Sequence, residues 1–344
     1  MRALEVVLPG IVEPDGLELR HRELPSPAAG HVVVRVEASG VSFAEQQMRR
    51  AKYYDQPAFP FVPGYDLVGT VVETGPGTED LAGRRFAALT KIGGWADHVL
   101  LDAADLVPVP DGVDPAEAEV FVVNGITAWR MLHHIARVRK GQTVLVHGAN
   151  GGVGSTLVQL ARLAGATVIG TASTRHHDAV RRLGATPVDY RDPDLPARVR
   201  ELAPSGVDAV FDHVGGPGIV DSYRLLAPRG TLVAYGTAST RDQPGSSRLP
   251  VLKLFARLML WNALPNGHRA TFFNIWAGKR RPDAFRAALR RDLGEVFALV
   301  AQGKLRAQVA ARVPLDQVGR AVALAESGTV TGKVVLVPAN GTTR

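Results

Sequence analysis

The sequence predicts an α/β fold: a doubly wound parallel sheet with helices on both faces, joined to a second domain that is rich in β-strands. Three observations over the 344 residues support this prediction. Strand-like and helical patterns alternate from residue 141 onward, a glycine-rich turn follows the first of these strands, and residues 1–120 carry short alternating apolar runs. A chain of this length is long for one core and sufficient for two domains.

The first 120 residues are rich in Val, Gly and Pro, which is typical of a β-rich domain. Residues 1–8, 31–38 and 66–73 are predicted to be strands, and Pro63-Gly64 marks a turn before the last of them. From residue 116 the pattern becomes helical and continues to Leu132. The helical stretch therefore marks the passage to the second domain.

The parallel sheet is predicted from four strand-like segments with helical patterns between them: 143–147, 167–171, 207–211 and 230–235. The turn after the first strand reads Gly148-Ala149-Asn150-Gly151-Gly152-Val153-Gly154. Glycines let the backbone approach a pyrophosphate, and the following helix offers unpaired N–H groups and its positive dipole end. We therefore interpret this turn as a dinucleotide site, although Ala149 replaces the usual first glycine of the motif. A tight strand–helix connection without a ligand is the alternative.

The end of the second strand indicates which dinucleotide is bound. NAD sites usually have an acidic residue there, but this chain continues with Ser173, Thr174 and Arg175, and its next carboxylate is Asp178. Hydroxyl groups and a guanidinium suit a 2′-phosphate. The prediction is NADP(H), with a solvated loop cation at Arg175 as the alternative.

The C-terminal third is predicted to alternate in the same way. Strands are expected at 270–275 and 333–337 and helices at 284–302 and 315–327, with residues 309–314 between the two helices and the tail rejoining the first domain. Residues 249–264 are predicted to form a helix with these residues on one side: Leu252, Phe255, Leu258, Met259 and Trp261. Packing in the core or in a dimer contact is one interpretation of that side, and an apolar lid over a bulky substrate is the other.

Composition excludes several function classes. The chain has no cysteine, so disulfides and thiolate catalysis are excluded. The net charge of +7 comes from 40 basic residues scattered among 33 acidic ones, without the continuous basic stripe of a nucleic-acid surface. No signal peptide or membrane-spanning segment is expected, which predicts a cytoplasmic protein with no nucleic-acid or membrane partner.

With these residues in view, the chain resembles the medium-chain dehydrogenase/reductase superfamily, and within it the zinc-independent quinone oxidoreductases and enoyl reductases. The resemblance covers nearly the whole length and rests on an ordered set of motifs: Gly64-Tyr65-Asp66-Leu67-Val68-Gly69-Thr70-Val71, the glycine turn followed by Gln159-Leu160-Ala161, Leu183-Gly184-Ala185 before Asp189-Tyr190, Phe211-Asp212-His213-Val214-Gly215-Gly216, and Gly332-Lys333-Val334-Val335-Leu336. It implies a GroES-like substrate domain at 1–122, completed by 279–344, and a Rossmann coenzyme domain at 123–278.

The resemblance also indicates that zinc is not used. The zinc-dependent branch has a cysteine ligand near position 42 and a His-Glu pair after Gly64, whereas this chain has Ser42 and Tyr65-Asp66. A tetrahedral zinc site needs thiolate or imidazole ligands that are absent here, so no metal is expected. The implied activity is NADPH-dependent hydride transfer to a quinone or an α,β-unsaturated carbonyl compound. A non-catalytic NADPH-binding protein, such as a redox sensor or a crystallin-like protein, is the alternative.

The family also suggests individual residues. Tyr53 or Tyr54 is the candidate donor to the substrate carbonyl, with a structural tyrosine as the alternative, and Ser42 occupies a position close to the nicotinamide. The remaining expected cofactor contacts are Thr127, Tyr190, His213, Val214, Gly236, Phe273, Asn274 and Lys333. The expected partners are a small hydrophobic substrate and a second copy of the chain, paired through an edge strand at 271–275.

Overall fold

The structure is a computed structural model that describes residues 1–240 and 248–339. The chain divides into two compact units. The first, here called the first domain, contains Met1–Ile126 and Gly278–Arg344, and the second domain contains Thr127–Ala277.

The described helices and strands are numbered along the chain. The strands are β1 (Arg2–Val7), β2 (Glu18–Glu23), β3 (His31–Val41), β4 (Asp66–Thr74), β5 (Arg85–Leu89), β6 (His98–Asp102), β7 (Val107–Pro108), β8 (Thr143–His147), β9 (Thr167–Ala172), β10 (Thr186–Asp189), β11 (Val207–Asp212), β12 (Leu226–Ala234), β13 (Arg269–Phe272), β14 (Val309–Pro314) and β15 (Lys333–Val337). The helices are α1 (Phe43–Arg49), α2 (Pro115–Val120), α3 (Val123–Trp129), α4 (Gly152–Leu163), α5 (His177–Arg182), α6 (Leu195–Leu202), α7 (Ile219–Arg224), α8 (Arg248–Ala263), α9 (Pro282–Ala301) and α10 (Val318–Glu326).

The first domain is built on a seven-stranded, mainly antiparallel sheet. Its order is β14-β15-β3-β4-β5-β7, β6 pairs with the other part of β3, and β1 and β2 form a separate two-stranded sheet. Strand β15 pairs antiparallel with β3 through Val335 and Gly40, so the C-terminal tail completes this sheet. Val32, Val34, Leu67 and Phe86 pack on one of its faces as an apolar core.

The second domain is a six-stranded parallel sheet of order β10-β9-β8-β11-β12-β13. The strand order reverses beside β8, as in doubly wound dinucleotide-binding folds, and the ligand edge of such sheets is the carboxyl end of the strands. Leu145, Ile169, Val210 and Leu232 lie in the buried core around the sheet. The two domains confirm the predicted fold class, a Rossmann domain and a GroES-like domain.

Helix α8 corrects one prediction. The structure buries Leu254, Leu258 and Trp261 in the core of the second domain, and the Trp261 ring stacks on Tyr223 with ring centroids 4.2 Å apart. The other three residues expected on that side, Leu252, Phe255 and Met259, are exposed. The error arose because apolar residues surround most of this helix, so their spacing does not define one face.

Strand β13 also differs from its prediction. It ends at Phe272, so Phe273, Asn274 and Ile275 follow the strand instead of forming part of it. The Asn262 side chain donates to the Ala270 carbonyl (2.6 Å) and accepts from the Ala270 N–H (2.9 Å), and it thereby occupies both backbone polar groups of one residue in this edge strand. Among the described residues, no helix is long and apolar enough to cross a membrane.

Candidate functional site

The glycine turn adopts the compact form that its sequence suggests. Gly148 has a φ of +64°, a region that disfavours side chains, and a Cβ on Gly154 would clash with the Gly148 carbonyl oxygen. The Gly151 N–H donates to the Gly148 carbonyl (2.9 Å), and α4 starts at the next residue without a side-chain cap. The first N–H groups of α4 therefore have no intrahelical or side-chain partner, which is the arrangement that binds a phosphate.

The neighbouring strand ends place unpaired polar atoms close to the glycine turn. His213 follows β11 and lies so close to Gly148 that a Cβ there would meet the imidazole. Burial lowers the pKa of His213, although Asp212 opposes the shift, so the ring is neutral at pH 7. Within residues 1–240 and 248–339, His213 Nδ1 and Ser239 Oγ are buried without a hydrogen-bond partner. Unpaired buried polar atoms beside a glycine cradle fit a bound dinucleotide.

The segment expected to contact the 2′-phosphate on the cofactor ribose lies at the carboxyl end of β9. Ser173 is buried, whereas Thr174 and Arg175 are exposed. The Thr174 hydroxyl donates to Asp189 at the end of β10 (2.8 Å). The backbone N–H of Arg191 and the Thr174 hydroxyl lower the pKa of Asp189. The Asp189 carboxylate therefore lies beside the expected 2′-phosphate contacts, a position that the sequence interpretation did not assign to it.

The other expected cofactor residues of the second domain are found at several positions. Gly236 follows β12, where a Cβ would lie 2.7 Å from the His213 carbonyl oxygen, and Val214 is partly exposed. Tyr190 is exposed, with the Arg191 guanidinium 5.0 Å from its ring centroid. The remaining three are Thr127, which is buried in α3, Phe273, whose N–H donates to the Ala234 carbonyl (2.7 Å), and Asn274, whose Oδ1 accepts from the Trp276 N–H (2.9 Å).

In the first domain, two tyrosines form a hydroxyl pair. The Tyr53 and Tyr65 hydroxyl oxygens are 2.8 Å apart, and the Tyr54 ring lies against Tyr53 with centroids 4.6 Å apart. Burial and the neighbouring Tyr65 raise the pKa of Tyr53 far above its usual value, and burial also raises the pKa of Tyr54. Tyr53 is therefore a neutral O–H donor at pH 7. Tyr65 is a partner that the sequence interpretation missed.

Ser42 begins helix α1 as its N-cap. The Ser42 N–H donates to the Glu45 carboxylate (2.9 Å) and the Glu45 N–H donates to the Ser42 side chain, which together form a capping box. The Ser42 hydroxyl also donates to the same carboxylate oxygen. The other Glu45 oxygen accepts from the Tyr65 N–H (2.7 Å). Burial and then Asp66 raise the pKa of Glu45, whereas the Ser42 hydrogen bond opposes the shift. Glu45 thus ties the start of α1 to the backbone of Tyr65.

Lys333 lies in a buried ion cluster of the first domain. Its ammonium donates to Asp66 (2.8 Å) and to Glu119 (2.7 Å), and all three side chains are at most 2% exposed. Burial disfavours the charged amine, but the two carboxyl groups outweigh it and raise the pKa of Lys333. Burial and then Asp66 raise the pKa of Glu119 well above its usual value. A cofactor contact by Lys333 remains a prediction, because the structure shows its ammonium bound to these two side chains.

Among the described residues, no group of three or more His, Cys, Asp or Glu side chains could hold a metal ion. At the two positions that hold zinc ligands in the zinc-dependent branch, the Ser42 hydroxyl caps α1 and the Tyr65 hydroxyl bonds to Tyr53. The sequence interpretation also missed a buried hydrogen-bonded chain behind the glycine turn, which contains His147, Ser222 and Asp212. Its sequence signal is limited to the strand ends, because His147 and Asp212 are polar residues at the carboxyl ends of β8 and β11.

Known proteins match the chain over almost its whole length. Residues 28–111 match the family described as alcohol dehydrogenase GroES-like domain, and residues 183–336 match the family described as zinc-binding dehydrogenase. The synaptic vesicle membrane protein VAT-1 homolog of Rattus norvegicus is 32% identical over 346 aligned positions, which cover 97% of this chain and 83% of that protein.

Two solved structures are similar over 98% of this chain and 100% of their own. One is a mycobacterial protein complexed with NADPH, with 29% identity and a TM-score of 0.81. The other is a quinone oxidoreductase of Pseudomonas syringae, with 27% identity and a TM-score of 0.83.

Proposed function

Because the chain belongs to the medium-chain dehydrogenase/reductase superfamily, in the branch of the quinone oxidoreductases and enoyl reductases, we propose that it is an NADPH-dependent reductase. Its substrate is a quinone or an α,β-unsaturated carbonyl compound, and it uses no zinc. The observation that carries the proposal is the glycine turn, where Gly148 and Gly154 come close enough to exclude any side chain at the start of α4.

The residues that would hold NADPH lie at the carboxyl edge of the parallel sheet. The N–H groups of Gly152, Val153 and Gly154 begin α4 and suit the pyrophosphate. Ser173 and Arg175 suit the 2′-phosphate, because a hydroxyl and a guanidinium both donate to its oxygens. His213 is neutral and can exchange a hydrogen bond with the cofactor through Nδ1 without adding charge. The mycobacterial relative complexed with NADPH supports this choice of cofactor.

When bound, NADPH supplies a hydride to the acceptor, whose carbonyl oxygen then gains negative charge. Tyr53 would donate a hydrogen bond to that oxygen, and its partner Tyr65 would orient the hydroxyl. The raised pKa of Tyr53 keeps its proton in place, so Tyr53 stabilises charge and solvent completes the reduction by supplying the proton. Ser42 would be a positioning residue, because its hydroxyl donates to Glu45.

The absence of zinc is proposed from the side chains at the corresponding positions. A serine and a tyrosine stand where the zinc-dependent branch has thiolate and imidazole ligands, and the chain has no cysteine to replace them. Hydride transfer to a quinone or an activated C=C bond needs no Lewis acid of this kind. Metal analysis of the purified protein should therefore show no stoichiometric zinc, and stoichiometric zinc would contradict this part of the proposal.

We also propose that the chain forms a homodimer, and this proposal does not depend on the reductase activity. Strand β13 is an edge of the parallel sheet, and an exposed edge can pair with a second copy. Because Asn262 occupies both backbone polar groups of Ala270, that pairing would have to displace the Asn262 side chain or avoid Ala270. Light scattering at several concentrations tests this, and a constant monomer mass would reject the dimer.

Turnover tests the reductase proposal. The purified protein is mixed with NADPH and then with a small quinone or, separately, a small enone, and the loss of nicotinamide absorbance is followed. Oxidation of NADPH by either acceptor supports the reductase, and the faster acceptor identifies the substrate class. Tight NADPH binding without oxidation by any acceptor would instead favour the non-catalytic NADPH-binding protein.

A further inference from the structure

A continuous chain of buried side chains connects the two turns that flank the proposed cofactor site. The Gly148 N–H donates to the Thr171 hydroxyl (3.2 Å), and that hydroxyl lies 3.1 Å from His147 Nδ1. On the other side of the imidazole, Nε2 lies 3.0 Å from the Ser222 hydroxyl, which donates to Asp212 (2.7 Å). All four side chains are buried.

Asp212 fixes the second turn. Its Oδ1 accepts from the N–H groups of Val214 (2.8 Å) and Gly215 (2.9 Å), while its Oδ2 accepts from Ser222. The first turn, at Gly148, is fixed at the opposite end of the chain of hydrogen bonds. The network therefore links the start of the glycine turn after β8 to the turn that follows β11.

The protons of the network have one consistent arrangement when the imidazole is neutral. The single Ser222 proton is donated to Asp212, so Ser222 must accept from Nε2–H of His147. Nδ1 is then bare and accepts the Thr171 proton, which leaves Thr171 free to accept the Gly148 N–H. Every donor has one acceptor, and removal of any hydroxyl leaves a buried polar group unpaired.

We propose that Thr171, His147, Ser222 and Asp212 act as one positioning network, which holds the glycine turn and the Val214–Gly215 turn in a common geometry for NADPH. This inference rests on the proposed cofactor. The network residues are positioning residues, because they are buried behind the turns. Its defining property is that a break at one end loosens the turn at the other end.

Hydrogen exchange in the protein without cofactor tests this coupling directly. Thr171→Val removes the hydroxyl at the Gly148 end, and Ser222→Ala removes the one at the Asp212 end. We expect Thr171→Val to accelerate exchange at Val214 and Gly215 by about fivefold, and Ser222→Ala to do the same at Gly148. Acceleration confined to the turn next to each substitution would overturn the proposal.

Two control variants separate coupling from general loosening. Thr156→Val makes the same change at another fully buried threonine of the second domain, outside the network, and should leave exchange at Val214 and Gly215 unchanged. Thr171→Ser retains the hydroxyl and should restore the wild-type rates. Equal acceleration by the Thr156 and Thr171 valine variants would contradict a specific network.

NADPH titration supplies a second readout. Thr171→Val and Ser222→Ala are each expected to raise the Kd about fivefold, and the double variant should raise it by clearly less than the product of the two factors. A full product would mean that the two hydroxyls act independently, which would overturn the network. If the wild-type protein does not bind NADPH, the proposed function fails, and hydrogen exchange still decides whether the network couples the turns.

Discussion

Replacement of Lys333 with methionine should destabilise the first domain strongly. The substitution keeps the length of the side chain but leaves Asp66 and Glu119 buried without their ammonium partner, and both carboxyl groups are fully buried. Breaking a buried ion pair in this way costs about 3–5 kcal/mol. Because a domain of this size changes its Tm by roughly 2–4 °C per kcal/mol, we expect a decrease of about 6–20 °C.

The pH dependence of Lys333→Met provides an internal check. Without the cation, Glu119 keeps a raised pKa in the folded state and binds more protons there than in the unfolded state. The free energy of unfolding then falls as pH rises through the folded-state pKa of Glu119, so the loss of stability in Lys333→Met should be smaller at about pH 5 than at about pH 8. Differential scanning calorimetry measures both effects.

A matched control for Lys333→Met is Lys304→Met, which removes an exposed ammonium from the same domain. It should change Tm by less than about 2 °C, as surface substitutions do. The assignment of Lys333 to a stabilising ion cluster would be refuted if the two variants had the same Tm, or if the deficit of Lys333→Met did not vary with pH.

Four further predictions concern the proposed site and the ion cluster. Arg175→Ala should raise the Kd for NADPH about tenfold to a hundredfold and leave that for NADH almost unchanged, because it removes the charged contact proposed for the 2′-phosphate. Asp189→Asn should lower the Kd for NADPH about fivefold, since it removes a like charge beside that contact. Tyr53→Phe should lower kcat about a hundredfold, and Tyr54→Phe should have little effect. In calorimetry, the stability of Glu119→Gln should fall less between about pH 5 and pH 8 than that of the wild-type protein, because the amide cannot ionise.

Each of these predictions has a control or an opposing result. Arg182→Ala and Asp194→Asn change exposed charges near the same segment and should leave the ratio of the two Kd values unchanged. Equal loss of NADPH and NADH affinity in Arg175→Ala would reject its role at the 2′-phosphate. Equal kcat values for the two tyrosine variants would reject Tyr53 as the donor, and an unchanged pH profile for Glu119→Gln would show that Glu119 is already ionised.

The parts of the fold that depend on local sequence were predictable. The glycine turn is predicted from a strand, a few glycines and a helix in succession. In the structure β8 is followed by Gly148 and then by α4, which contains Gly154. Strand β10 was not predicted, because it has four residues and includes Pro187, which gives little alternation to detect. The exposed side of α8 was assigned incorrectly, since spacing cannot choose a face on a helix that is apolar nearly all round.

The long-range polar arrangements could not be predicted from spacing. Lys333 is 267 positions from Asp66 and 214 from Glu119, so only the folded sheet brings the three together. The Tyr53–Tyr65 hydroxyl pair similarly depends on how the segment after α1 folds back to β4. Such contacts carry no periodic signal, whereas the resemblance to a family identified individual positions without showing their partners.

Parallel titration of the wild-type protein with NADPH and NADH, followed by nicotinamide fluorescence, shows whether the protein is an NADPH-dependent reductase. The contacts proposed for Ser173 and Arg175 predict that NADPH binds at least about tenfold more tightly, and that the NADPH complex is then oxidised by a quinone or an enone. Tighter binding of NADH, or no binding of either dinucleotide, would show that the glycine turn and the Ser173–Arg175 segment do not form an NADPH site.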